Sequence, residues 1–317
     1  MERLLAALRA AAEPTRLRLL ALIARGAFCV LDLAEILGQS QPRLSRHLRL
    51  LCDAGLLERT REGPNVWFSL PPGEMGAFVR DLIARLPETD PTLAADRRQA
   101  ARALAERARI ASETFRRQGA DWDEMRALDL PAAAVEAALL RLLPEGPLER
   151  VLDIGTGTGR LLELLAPRIG TGIGIDASRA MLALARARLS RPGLQHCTVR
   201  QADMYRLPFP DGAFDLAVLQ MVLHYAEDPA AAVAEAARVL RPGGRLLVVD
   251  LALHARTDLA ERLAHRWPGF AEAAMSGFFH SAGLIPSAPA AVPGPIEVRL
   301  WTAQRPMHAT SSADLAA

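Results

Sequence analysis

The sequence contains no lysine: all 38 basic residues in its 317 are arginine. A Walker-type phosphate loop, a Schiff-base enzyme and a lysine general base are therefore excluded. Cysteine is nearly as scarce. Cys29, Cys52 and Cys197 are scattered and odd in number, which suits reduced thiols rather than a disulfide framework. Long apolar runs are missing too, since no stretch approaches the ~18 uninterrupted residues of a membrane span. Near the start, Arg9, Glu13, Arg16 and Arg18 break the leucine-rich segment before a leader-like run can form. A cytoplasmic protein is expected, with no membrane partner. The net charge of +2 is too small to mark a nucleic-acid binder, so that reading must rest on local geometry.

Half of the residues are hydrophobic, and the length suits two cores, since domains run to roughly 100–200 residues. Residues 1–86 read as short helices followed by a strand pair. Residues 87–147 read as a helical connector, rich in Ala and Arg and broken near Gly119 and Pro131. From 148 to 304, β-type runs at 151–154, 172–176, 198–203, 215–220 and 245–250 alternate with helical ones. That alternation predicts an α/β domain of parallel strands with crossover helices. Residues 305–317 read as a small, polar, disordered tail.

Leu31, Leu33, Ala34 and Leu37 form one face of a helix that ends at Gly38. Ser40 can cap the next helix, and Pro42 is tolerated in its first turn. In that second helix Leu44, Leu48 and Leu51 make a buried stripe. Arg43, Arg46 and Arg49 lie on the opposite face, flanked by Gln41, Ser45 and His47. Arginine can pair bidentately with guanine and glutamine with adenine, so this face suits a major groove. Two short strands, 56–60 and 66–70, then form a hairpin wing with Arg61 at its base. Double-stranded DNA is the expected partner. The alternative is a winged helix that docks onto protein.

The stretches Ala11 to Leu20, Ser40 to Leu48 and Ala54 to Leu57 resemble the ArsR-type winged-helix repressors, over roughly residues 1–85. The resemblance implies a homodimer on a palindromic operator, with half-sites about one DNA turn apart. Dimerisation would use the first helix and the helix holding Phe78, Val79, Leu82 and Ile83. Many members sense metal through two cysteines in the segment that matches Cys29-Val30-Leu31-Asp32-Leu33. Here one cysteine remains and the second position is leucine. No metal site is expected, so a signal must come from the second domain.

That domain opens with Asp153-Ile154-Gly155-Thr156-Gly157-Thr158-Gly159, which reads as a strand end, a glycine loop and a helix start. Glycines let the backbone touch a ligand. The glycines alone leave NAD, flavin and adenosyl ligands open. Asp153 narrows the choice, because dinucleotide binders usually carry an uncharged segment there. Asp176, at the tip of the next strand, can accept both ribose hydroxyls. Ala202, Asp203 and Met204 end the third strand, where a carboxylate would lie near the adenine amino group. With Leu207 to Leu216 and Val239 to Leu246, these motifs resemble the class I S-adenosylmethionine-dependent methyltransferases, over about 110–303.

The expected whole is thus an N-terminal winged helix-turn-helix and a C-terminal Rossmann-like, doubly wound sheet. The resemblance assigns Asp153, Gly155, Thr156, Gly157 and Gly159 to the methionine portion and Asp176 to the ribose, with Ala177 and Met181 beside it. Ala202, Asp203 and Met204 take the adenine, while Gln220 and Met221 line the cleft. Phe115, Trp122 and Arg126 match the family's lid. The cofactor implied is S-adenosylhomocysteine or S-adenosylmethionine.

No catalytic residue is singled out, and methyl transfer requires little beyond alignment of the reactants. His224 and Tyr225 sit where a substrate-facing residue could lie, although His224 reads better as a core or cleft-edge histidine. Gln220-Met221-Val222-Leu223 replaces the Asn/Asp-Pro-Pro-Tyr motif of DNA amino methylation, and a Pro-Cys nucleophile for cytosine is absent. The fusion resembles the S-adenosylhomocysteine-responsive repressors of bacterial methionine-cycle genes. A ligand-controlled DNA-binding regulator is the favoured expectation. An active small-molecule methyltransferase, with the winged helix docking or autoregulating, is the alternative.

Overall fold

The computed structural model describes residues 1–62, 65–71, 73–87, 89–117, 125, 128–256, 258–263 and 265–307. Helices α1 (Glu2–Ala11) and α2 (Pro14–Ile23) lead into strand β1 (Phe28–Cys29). Then follow α3 (Val30–Leu37) and α4 (Gln41–Asp53), the pair anticipated from the leucine spacing. Gly38 ends α3 at φ 62°, a left-handed cap that glycine adopts without steric cost. Ser40 occupies the cap position of α4 but makes no side-chain cap bond. Leu44, Leu48 and Leu51 are fully buried against Leu19, Leu20, Leu33 and Phe68.

The wing strands are β2 (Glu58–Glu62) and β3 (Asn65–Ser69), with β1 on the other side of β3. They are offset from the sequence expectation because Leu56 and Leu57 are core residues before the hairpin rather than part of it. Helix α5 (Glu74–Ala84) completes this region. The next helix, α6 (Pro91–Arg117), is more than a connector. Its Ala100 and Leu104 join the N-terminal core, and its Asp96 carboxylate accepts from Nε and Nη2 of Arg18, each at 2.7 Å.

The second domain begins with α7 (Ala132–Leu142), which starts just after Pro131. Five parallel strands follow: β4 (Leu148–Ile154), β5 (Ile169–Asp176), β6 (Cys197–Gln201), β7 (Phe214–Gln220) and β8 (Leu240–Leu251). After β9 (Ile285–Pro286) and β10 (Ala290–Val292), β11 (Val298–Gln304) returns antiparallel to β8. The sheet order is β10-β11-β8-β7-β4-β5-β6, with β9 also paired to β11.

Both faces are covered, as nearly continuous apolar strands require. Val151, Val218 and Val249 face α7, α8 (Arg160–Leu165) and α9 (Arg179–Leu189). Leu152, Leu219 and Val248 face α10 (Pro229–Val239) and, after α11 (Asp258–Leu263), α12 (Glu272–Ser281). From β4 the chain runs one way to β5 and β6, then doubles back to β7 and β8. The reversal opens a crevice at the carboxyl ends of β4 and β7, where such sheets bind ligands.

Two strand ends differ from the sequence expectation. β6 stops at Gln201, and Asp203 instead forms a turn-like bridge with Arg206. β8 starts at Leu240, which pairs with Phe214 ahead of an irregularity at Arg241–Gly244, where Gly243 turns to φ 77° before regular pairing resumes at Arg245. Arg305, placed in the tail by its composition, donates to the carbonyls of Ala237, Arg238 and Leu240, while residues 308–317 lie outside the described residues.

Candidate functional site

The glycine loop links β4 to α8 and folds back on β5. The Gly155 and Thr156 amides donate to the Ile175 carbonyl at 2.9 and 2.8 Å. Gly155, Gly157 and Gly159 all have positive φ, at 75°, 51° and 75°. A Cβ on Gly155 would stand 2.4 Å from Cγ2 of Val222, just beyond β7, so the two crevice walls meet at that point. Beside Gly157 the same position is open, with no atom within 4 Å, as close backbone approach by a ligand requires.

Asp153 is 1% exposed and accepts the Thr156 hydroxyl at 2.6 Å. Burial raises its pKa to about 7; the Thr156 hydrogen bond opposes that rise and the charge of Asp176 adds to it. Asp176 accepts the Gly157 amide at 2.9 Å and the Ser178 amide at 2.7 Å. Burial also pushes this carboxyl up, while those backbone donors pull it down. Ala177 follows it, and Ser178 caps α9 by accepting the Met181 amide at 3.3 Å. The Ala202 amide returns to the Asp176 carbonyl at 3.2 Å, bringing the third predicted segment alongside. Asp203 is exposed and accepts the Tyr205 amide, and Met204 is half-buried.

On the far wall, Gln220 carries a buried Oε1 without a donor. Met221 sits at φ 51°, a strained conformation for a side-chain-bearing residue. Asp153, the glycines, Asp176, Ala202 and Gln220 therefore surround one crevice. The Phe115 side chain, Trp122 and Arg126 fall outside the described residues.

Sequence reasoning passed over Asp250. This residue ends the exposed-to-buried course of β8 with no accessible surface, and its carboxylate meets His224 Nδ1 at 2.7 Å. Asp250 also accepts the amides of Leu223, His224 and Leu251. His265 and Tyr225 rings lie 4.3 and 4.2 Å from the His224 ring. A carboxylate following the apolar run Leu246–Val249 was the available signal. Among the described residues, no group of three His, Cys, Asp or Glu side chains could hold a metal ion. Nor is any described helix long and apolar enough to cross a membrane.

On α4, Ser40, Gln41, Arg43, Ser45, Arg46 and Arg49 are exposed on the face opposite the leucines. Arg61 is exposed on the wing. His47 is half-buried and leans back, with Nδ1 3.6 Å from the Glu13 carboxylate at the start of α2.

Residues 13–59 match the family model of arsR-family bacterial regulatory proteins, and residues 152–248 match that of the methyltransferase domain. The chain thus carries an ArsR-type helix-turn-helix followed by a class I methyltransferase domain. An uncharacterised 37.1 kDa protein of transposon TN4556 from Streptomyces fradiae is 39% identical over 149 residues, 44% of this chain and 42% of the relative. The uncharacterised methyltransferase YcgJ of Bacillus subtilis is 38% identical, over 32% of this chain and 40% of the relative. The demethylmenaquinone methyltransferase of Thermus thermophilus is 40% identical, over 32% of this chain and 47% of the relative. The chain therefore spans less than half the length of each of these relatives. In fold, it is similar to a chain from a Haloferax volcanii complex containing the Trm112 methyltransferase activator. That similarity has a TM-score of 0.53 at 22% identity, over 62% of this chain and 98% of the other.

Proposed function

We propose that the protein is a cytoplasmic, homodimeric DNA-binding regulator, a repressor whose operator affinity is set by S-adenosylhomocysteine or S-adenosylmethionine in the methyltransferase domain. The observation that carries the reading is the coexistence of two distinct sites in one chain. One is the outward polar face of α4; the other is the crevice of glycines and acids at the β4–β7 reversal. The target genes on this reading are those of methionine and S-adenosylmethionine metabolism.

The crevice fits an adenosyl sulfur compound. Gly157 leaves room for close contact, and the orphaned Gln220 Oε1 is an acceptor suited to an ammonium donor. Asp153 and the glycine amides would hold the amino-acid portion. Asp176 has two amides on its carboxylate and retains lone pairs for ribose hydroxyls. Asp203 and Met204 would meet the adenine. Homocysteine and methionine forms differ by one methyl group and one positive charge, and only a ligand that binds the two protein states unequally can shift them.

The test is a DNA-binding titration on operators selected from random duplexes. S-adenosylhomocysteine is expected to release DNA, and more effectively than S-adenosylmethionine. Unchanged affinity with both ligands overturns the reading.

A second reading, an active small-molecule methyltransferase, is favoured by the methyltransferase-domain match over residues 152–248 and by relatives that are named methyltransferases. Bound S-adenosylmethionine supplies an electrophilic methyl group to an acceptor. Turnover on small acceptors, followed by release of S-adenosylhomocysteine, would select this reading over pure sensing.

A further inference from the structure

The wing is built into the nucleotide domain. Glu62, the last residue of β2, is 3% exposed, and Arg186 of α9 is 8% exposed. Nη2 of Arg186 donates to both Glu62 oxygens at 2.8 Å. The Arg186 guanidinium also lies 3.4 Å from the centre of the Trp67 ring on β3. Arg107 of α6, 5.8 Å from the centre of the same ring, pairs with Asp32 of α3. One continuous set of contacts thus joins the helix-turn-helix, the wing and the α9–β6 layer.

Those contacts end at the crevice. The Gln201 amide donates to Glu62 at 2.8 Å, while the Gln201 side chain holds the Ala177 carbonyl at 2.9 Å and Arg179 at 3.1 Å. Gln201 therefore touches the wing with its backbone and the residue after Asp176 with its side chain. α9 begins three residues after Asp176 and carries Arg186 ~10 Å further along a rigid helix. β6 ends two residues before Asp203.

Resting on the regulator reading above, we infer that the Glu62–Arg186–Trp67 clamp couples occupancy of the adenosyl crevice to the wing. A ligand held between Asp176 and Asp203 acts on the start of α9 and the end of β6, and both elements grip Glu62. A buried ion pair does not slide by degrees, because separating its partners strands a charge away from water. The clamp is also opposed from within. Trp67 Nε1 and Arg186 Nε are buried without an acceptor, so the closed arrangement leaves two donors unsatisfied. A contact both held and opposed can be tipped by a small differential affinity.

The test uses the full chain and two variants, Glu62→Gln and Trp67→Leu. Glu62→Gln keeps an acceptor for the Gln201 amide and removes the charge. S-adenosylhomocysteine affinity is measured by calorimetry, and operator affinity with and without that ligand by anisotropy. The unmodified protein should show a ligand effect on DNA affinity of about fivefold or more. Each variant should bind ligand alone and DNA alone within about threefold of the unmodified protein, with the ligand effect falling towards onefold. A full ligand effect in both variants overturns the clamp and leaves the regulator reading standing. Absence of any effect in the unmodified protein overturns that reading, and the clamp with it.

Discussion

The Thr156 hydroxyl meets the Asp153 carboxylate at 2.6 Å where almost no solvent reaches. That carboxyl is raised from 3.8 to about 7, mainly by burial. In the free protein, its contribution to stability is complete below pH ~4 and is lost as pH rises through about 7. A ligand ammonium beside it would favour the ionised form and so reverse the preference. Ligand binding should therefore tighten between pH 5 and pH 8, by up to about tenfold per unit below the midpoint. Calorimetry in buffers of different ionisation enthalpy should detect proton release near pH 6. Thr156→Val should move the midpoint upward. Proton-neutral binding across that range would remove Asp153 from the ligand contact.

Gly155→Ala should cost ~1–3 kcal/mol of stability, read from urea unfolding, and should weaken S-adenosylhomocysteine binding sharply. The cause is twofold: φ of 75° and a Cβ only 2.4 Å from Val222. Adding Val222→Ala relieves the contact but not the dihedral, so stability should return only in part. Full recovery would show that sterics alone make glycine necessary.

Arg43→Ala and Arg46→Ala should each weaken operator binding by ~1–3 kcal/mol if they read bases. Both side chains are exposed on α4, away from the crevice, so ligand affinity should not change. His47→Ala should have a smaller effect on DNA, given its lean towards Glu13. A uniform loss across all sequences, with a shallower salt dependence, would reassign the arginines to phosphate contacts.

Leu4, Leu5 and Leu8 of α1 are 41–48% exposed and share one helical face. Phe78, Leu82 and Ile83 of α5 are half-buried. Replacing Leu5 and Leu8 together by Glu should yield monomers in sedimentation velocity. Operator affinity should fall because the second half-site is no longer engaged in the same event. A dimer that survives the double replacement would place the contact elsewhere.

Much of the architecture was legible because its signals are local. Gly38 punctuates α3, Leu44 to Leu51 trace the buried stripe of α4, and the glycine loop follows an apolar strand. The acids of the crevice were legible for the same reason, each standing at the end of a β-type run. The rest depends on partners remote in sequence. Arg186 and Glu62 are 124 residues apart, and nothing in either neighbourhood signals the other. The same holds for Arg18 and Asp96, which attach α6 to the winged helix rather than leaving it as a connector. Asp250 and its partner His224 stand 26 residues apart, and β6 stops short because Asp203 satisfies a turn instead.

β6 is the last strand on its side of the sheet, and Glu62 occupies the outward amide of Gln201. The wing therefore also covers the open border of the methyltransferase domain. A fragment lacking residues 1–127 would bare that border, with unpaired amides ready to pair with another copy. Aggregation of such a fragment in light scattering, where the full chain stays monodisperse, would show that the winged helix protects this edge.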